Sequence, residues 1–127
     1  MVHSSRDNDD VCRREPVLRV VFFLSEAGNE PVRDWLLTLK RDDRRMVGRD
    51  IKTAQYGWPL GMPLIRKLEP GLWEVRSHVG AGIARVMFTV DGSVMVLLHG
   101  FIKKSSRTPA PDLQTARQRM VRARGGN

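Results

Sequence analysis

Cysteine is almost absent from this 127-residue chain: Cys12 stands alone. That excludes an intrachain disulfide and any zinc site built on clustered cysteines. Histidine is nearly as scarce, and His3, His78 and His99 are too scattered to read as a metal centre. No apolar run approaches the roughly 20 residues that a membrane-spanning helix needs. The longest candidate, residues 94–98, has the length of a strand. The opening stretch MVHSSRDNDDVCRRE lacks the apolar segment of a secretory leader. A cytoplasmic protein with no membrane partner, no metal and no other cofactor is expected.

Acidic residues are also in deficit, with 14 Asp and Glu against 22 Lys and Arg, for a net charge of +8. Arginine outnumbers lysine. A guanidinium fork matches phosphate oxygens bidentately, so this field suits phosphate-rich partners. Charge alone does not separate a nucleic-acid binder from a small basic protein with no specific ligand. At 41% hydrophobic and 28% charged residues, the composition is that of a globular chain. The length fits one core.

Residues 1–16 are polar and read as a flexible arm, leaving one domain over residues 17–124. VLRVVFFL, residues 17–24, reads as a first strand. Asn29 is placed to cap a helix with Pro31 in its first turn, and Val32, Trp35, Leu36 and Leu39 recur at helical spacing. Asp42 or Asp43 caps a second helix that turns Met46, Val47, Ile51 and Ala54 inward, and Gly57 and Pro59 end it. An extended piece, LIRKLE, reaches the Pro70-Gly71 turn. Strands over residues 72–78, 82–90 and 94–102 follow, with turns short enough for an antiparallel meander. Thr108 is the expected cap of a last helix carrying Leu113, Ala116 and Met120 inward, which Gly125-Gly126 ends. The order β-α-α-β-β-β-β-α gives an α+β domain with a mostly antiparallel sheet of four to five strands.

Within this frame, Gly80-Ala81 as the apex of a two-residue hairpin sets Arg76 directly opposite Arg85, with Trp73, Val75, Val86 and Phe88 on the other face. Like charges opposed across strands cost several tenths of a kcal/mol to about 1 kcal/mol. The two side chains therefore either splay into solvent or grip an anion. Arg66 and Lys67 enter the sheet just before them, and Lys103 and Lys104 close the last strand. Glu74 shares the Arg76 face, either as a base or as a partner that Arg76 keeps ionised. His99 faces away from Arg85 if the last hairpin turns at Asp91-Gly92 without irregularity, whereas a bulge at Gly92-Ser93 brings it round. The alternative for His99 is a core-edge ring bonded to backbone. Tyr56 and Trp58 either stack on bases or, for Trp58, anchor a loop. Arg117, Arg119, Arg122 and Arg124 of the last helix form a solvated face, a guide for nucleic acid, or a dock for an acidic partner.

RKLEPGLWEVR, the arginine of ARVMF, and LLHGFIKKSSRTP leading into a helix together resemble the HigB branch of the RelE/ParE toxin superfamily, the group that includes phage Gp49-like proteins. The resemblance implies a RelE-like fold and the toxin of a type II toxin–antitoxin pair. It further implies a metal-independent endoribonuclease that enters the ribosomal A site and cleaves mRNA through the RNA's own 2′-hydroxyl. Carried onto this chain, it implies phosphate clamping by Arg76 and Arg85, charge or leaving-group stabilisation by Lys103, and a proton role for His99. It implies RNA contacts at Arg66, Lys67, Lys104 and Arg107. A tyrosine that some relatives use near the C-terminus has no counterpart here, since Tyr56 is the only one. The implied partners are a HigA-like helix-turn-helix antitoxin, the ribosome and mRNA. Two other activities share the superfamily fold: a ParE-like inhibitor of DNA gyrase and an inactive antitoxin-binding member.

Overall fold

The computed structural model describes residues 15–103 and 108–125. Lys104, Arg107, His3, Cys12 and most of the expected arm lie outside the described residues. Eight elements follow in the expected order: β1 (Arg19–Phe22), α1 (Pro31–Thr38), α2 (Arg41–Gly57), β2 (Ile65–Glu69), β3 (Leu72–Val79), β4 (Gly82–Asp91), β5 (Val94–Lys103) and α3 (Ala110–Ala123). They build an α+β domain around one five-stranded mixed sheet of order β1-β5-β4-β3-β2. The β2 to β5 meander is antiparallel, whereas β1 joins β5 in parallel. Among the described residues, no helix is long and apolar enough to cross a membrane.

Each face of the sheet buries its own core. Alternation sends Val75, Val86, Phe88, Met95 and Leu97 toward α1 and α2, where Val32, Val47, Ile51 and Ala54 meet them. Phe23, Leu72, Met87, Val96 and Leu98 point the other way, against Ala116, Leu113 and Met120 of α3. Trp58 packs edge-on to Trp73 at 5.0 Å and to Phe88 at 5.7 Å between ring centroids, so it is a loop anchor.

Helix starts differ from their expected positions. Glu30, not Asn29, occupies the N-cap position of α1, with no side-chain cap bond, and the Asn29 N–H donates to Ser25 Oγ at 3.0 Å and closes the preceding loop. Lys40 precedes α2, and Asp42 and Asp43 lie inside its first turn, where they favour the helix dipole. Asp43 reaches further and accepts the Gly80 N–H at 3.0 Å, tying the β3–β4 hairpin tip to α2. Pro109 precedes α3 without a side-chain cap, since Thr108 is turned toward the sheet.

Two glycines have specific work. Gly92, at φ 63°, supplies the left-handed residue of the β4–β5 turn. Gly100 lies beneath the Trp35 ring, and a Cβ there would overlap Trp35 Cε3 and Cζ3. Gly100→Ala is therefore expected to cost about 1–3 kcal/mol, the usual range for forcing atoms into a packed core. Denaturant unfolding checks it, and an unchanged midpoint would contradict the packing described.

Candidate functional site

The Gly80-Ala81 hairpin has the expected two-residue register: Val79 pairs with Gly82 and Arg76 with Arg85. Glu74, two residues before Arg76, lies on the same face, and β2 sets Arg66 directly opposite Glu74. Three strands thus bring three guanidiniums to one carboxylate. Arg85 Nη1 lies 3.7 Å from Glu74 Oε2, Arg66 Nη1 3.9 Å and Arg76 Nε 4.0 Å. All three contacts converge on one oxygen, and none is as short as the 2.7–3.2 Å of a hydrogen bond.

Burial divides the three arginines. Arg85 and Glu74 are fully buried, whereas Arg76 retains 16% and Arg66 36% of its side-chain exposure. Arg85 also donates to Thr108 Oγ1 at 3.4 Å. Arg85 therefore backs the cluster from beneath, and the face that reaches solvent is that of Arg76 and Arg66. Register alone had made Arg76 and Arg85 equivalent.

Burial pushes the Glu74 carboxyl above the usual carboxylate range, against the opposing pull of Arg85, Arg66 and Arg76. Burial likewise lowers the Arg85 guanidinium, with Glu74 acting in the opposite sense and Arg76 and Arg66 reinforcing the shift. Since Glu74 holds its proton more readily in the fold than in the unfolded chain, its contribution to stability is full below the ordinary carboxylate range. That contribution is lost as pH rises through its elevated value.

Lys67 pairs with Trp73 rather than with Glu74, so alternation directs it to the opposite face from Arg66. Lys103 pairs with Ile83 at the far end of β4 and β5, exposed, on the face that carries Arg85.

His99 reaches that face by a bulge, though not at Gly92-Ser93. The turn is regular, with Asp91 paired to Val94, and the ladder shifts between Met87 and Phe88, where Leu98 is the extra residue on β5. His99 then pairs with Met87, on the Arg85 side. The bulge frees the Leu98 carbonyl, and Arg119 of α3 donates to it at 2.8 Å.

Both nitrogens of the His99 ring have neighbours. Nε2 lies 2.6 Å from Asp112 Oδ1, and Nδ1 lies 3.4 Å from Arg119 Nη1. A guanidinium only donates, so Nδ1 is the acceptor and Nε2 carries the hydrogen given to Asp112. The ring, 20% exposed, is thus held by side chains of α3. Asp112, Arg119 and Thr108 were not expected here, and no spacing in the sequence marks the first two. Thr108 belongs to the Thr-Pro signal, which in sequence marks a helix cap.

The other arginines of α3 are likewise engaged with the domain. Arg117 grips Glu69 with Nε and Nη2 contacts of 2.8–3.0 Å, Arg124 donates to Thr89 Oγ1 at 2.9 Å, and Arg122 lies 3.4 Å from Glu26. The hydrogen bond from Arg117 holds the Glu69 carboxyl below its usual range. That pair contributes above the ordinary carboxylate range and is lost as pH falls. The basic face of this segment also ties it to the domain, through Glu69, Thr89 and the Leu98 carbonyl on the sheet and Glu26 in the loop after β1.

The five-stranded mixed sheet with its three helices is consistent with a RelE-like fold, and its distinguishing feature is an arginine cluster on one buried carboxylate. The chain belongs to the family of phage-derived Gp49-like proteins (DUF891), whose model matches residues 34–121. That family is related to the toxins of toxin–antitoxin pairs, and the match spans α1 through most of α3, including Arg66, Glu74, Arg76, Arg85 and Lys103. No curated protein matches the chain.

Proposed function

We propose that this protein is the toxin of a type II toxin–antitoxin pair and cleaves mRNA codons in the ribosomal A site without a metal. The observation that carries the reading is the convergence of Arg66, Arg76 and Arg85 on one sheet face with a single carboxylate among them. Cleavage by the RNA's own 2′-hydroxyl forms an O2′–P bond and breaks the P–O5′ bond, leaving a 2′,3′-cyclic phosphate and a 5′-hydroxyl. Negative charge builds on the phosphorus oxygens as the new bond forms. Preorganised cations aimed at that charge are the effective catalytic device in such a step.

In this reading Arg76 and Arg66 meet the non-bridging oxygens, and Arg85 holds them from behind. Lys103, exposed on the same face, serves the leaving oxygen. Lys67, Lys104 and Arg107 are assigned contacts to neighbouring RNA phosphates. His99, on the Arg85 face with its ring nitrogens toward Asp112 and Arg119, is assigned the proton role and also helps fix α3 against the β5 bulge. A helix-turn-helix antitoxin of the HigA kind is the proposed partner.

Purified protein added to translating ribosomes is expected to cut mRNA within codons while leaving the same RNA largely intact in free solution. Intact mRNA together with loss of gyrase supercoiling activity would transfer the chain to the gyrase-inhibitor class.

A further inference from the structure

Glu74 is an unusual neighbour for a phosphate site. It is fully buried, neither carboxylate oxygen meets a guanidinium of the described residues at hydrogen-bond distance, the Thr108 hydroxyl lies beside it, and Oε2 sits where three guanidiniums converge. An ionised carboxylate desolvated in this way normally makes short charge-assisted hydrogen bonds. Here its contacts to the three guanidiniums are 3.7–4.0 Å, which align the cations electrostatically without meeting their N–H groups at bonding distance.

We propose that Glu74 is a built-in anion that holds the place of a phosphate oxygen among Arg66, Arg76 and Arg85, and that a phosphodiester seating there draws a proton onto it. The inference rests on the reading of this cluster as the phosphate site and adds a proton-linked control of its affinity. With Glu74 ionised, an arriving phosphate meets a negative charge behind the two arginines it needs. With Glu74 protonated, the same arginines face it without a competitor. Burial already favours the protonated carboxyl, in the same sense as the exchange.

The groups facing Glu74 from the elements around it are Arg66 on β2, Arg76 on its own strand, Arg85 on β4, and Thr108 ahead of α3. From α3, packed on the same face, Asp112 is bound to His99 and Arg117 to Glu69, so neither side chain is directed at it. Glu74 is accordingly the titrating centre of the cluster, a positioning residue and not one that touches the RNA.

A deoxythymidine trinucleotide tests this, because it lacks the 2′-hydroxyl and cannot be cleaved, and neither its diesters nor its bases titrate in mild acid. Its affinity for the unmodified chain is expected to rise as pH falls from neutral toward about pH 5, the region just above the ordinary glutamate value. Glu74→Gln is expected to bind about tenfold more tightly at neutral pH, a typical coupling between two sites, and to lose the pH dependence. Calorimetry of the unmodified chain in buffers of different ionisation enthalpy should show net proton uptake on binding, a readout that needs no variant. Affinity independent of pH without proton uptake, or a folded Glu74→Gln no tighter than the parent, overturns the proposal. If Arg76→Ala binds the trinucleotide as well as the parent, the phosphate-site reading fails and this inference with it. Dependence on Arg76 without dependence on Glu74 sinks the inference alone.

Discussion

Arg85→Ala is expected to destabilise the fold by about 3–5 kcal/mol, the range for breaking a buried ion pair from one side. The guanidinium is fully buried and is the nearest of the three to Glu74 Oε2, at 3.7 Å. Its removal leaves a buried carboxylate facing only the more distant Arg66 and Arg76, opens a void under the sheet face, and deprives Thr108 of its partner. In a domain of this size that loss lowers the melting temperature by more than about 10 °C. Adding Glu74→Gln to Arg85→Ala should restore a large share of it, because the stranded charge goes too. Denaturant unfolding of the two single variants and the double decides the matter. A single Arg85→Ala within about 1 kcal/mol of the parent would mean that the buried pair contributes little.

Arg76→Ala is expected to have the opposite profile. Arg76 keeps 16% of its side-chain surface in solvent and stands farthest from Glu74, at 4.0 Å, so its truncation should cost less stability than that of the fully buried Arg85. Cleavage of ribosome-bound mRNA should nonetheless fall about 100- to 1000-fold, the usual effect of deleting one preorganised donor to developing negative charge. Single-turnover cleavage on ribosomes, paired with a melting curve, separates the two variants: one loses the fold, the other the reaction. Retention of cleavage within about threefold by a folded Arg76→Ala would remove the arginine from the reacting phosphate.

The contrast between these neighbours shows what was readable beforehand. Once Gly80-Ala81 is a two-residue apex, the Arg76–Arg85 pairing follows from turn length and alternation, whereas a three-residue loop would have changed the register. The same rule places Glu74 on their face. Alternation also separates Arg66 from Lys67, but which of the two meets Glu74 depends on how β2 aligns with β3, and the β2–β3 ladder itself shifts between Lys67 and Glu69. The His99 side of the site depends on one extra residue, Leu98, in a strand with nothing in its apolar run to mark a bulge. What stabilises that bulge is Arg119, twenty-one residues further on.

The sequence by itself determined the order of elements, the meander, the inward faces and the presence of an arginine-rich face, because periodicity, turn length and residue type act over a few neighbours. Burial and pairing at long range were decided only by the tertiary structure: Arg85 sealed beneath Glu74, Gly100 pressed under Trp35, and Arg117, Arg119 and Arg124 bonded to groups on the strands. Each depends on where a distant element comes to rest. The free energy of a charge depends on its distance from water and from its counter-charges, and neither is a local property of the chain.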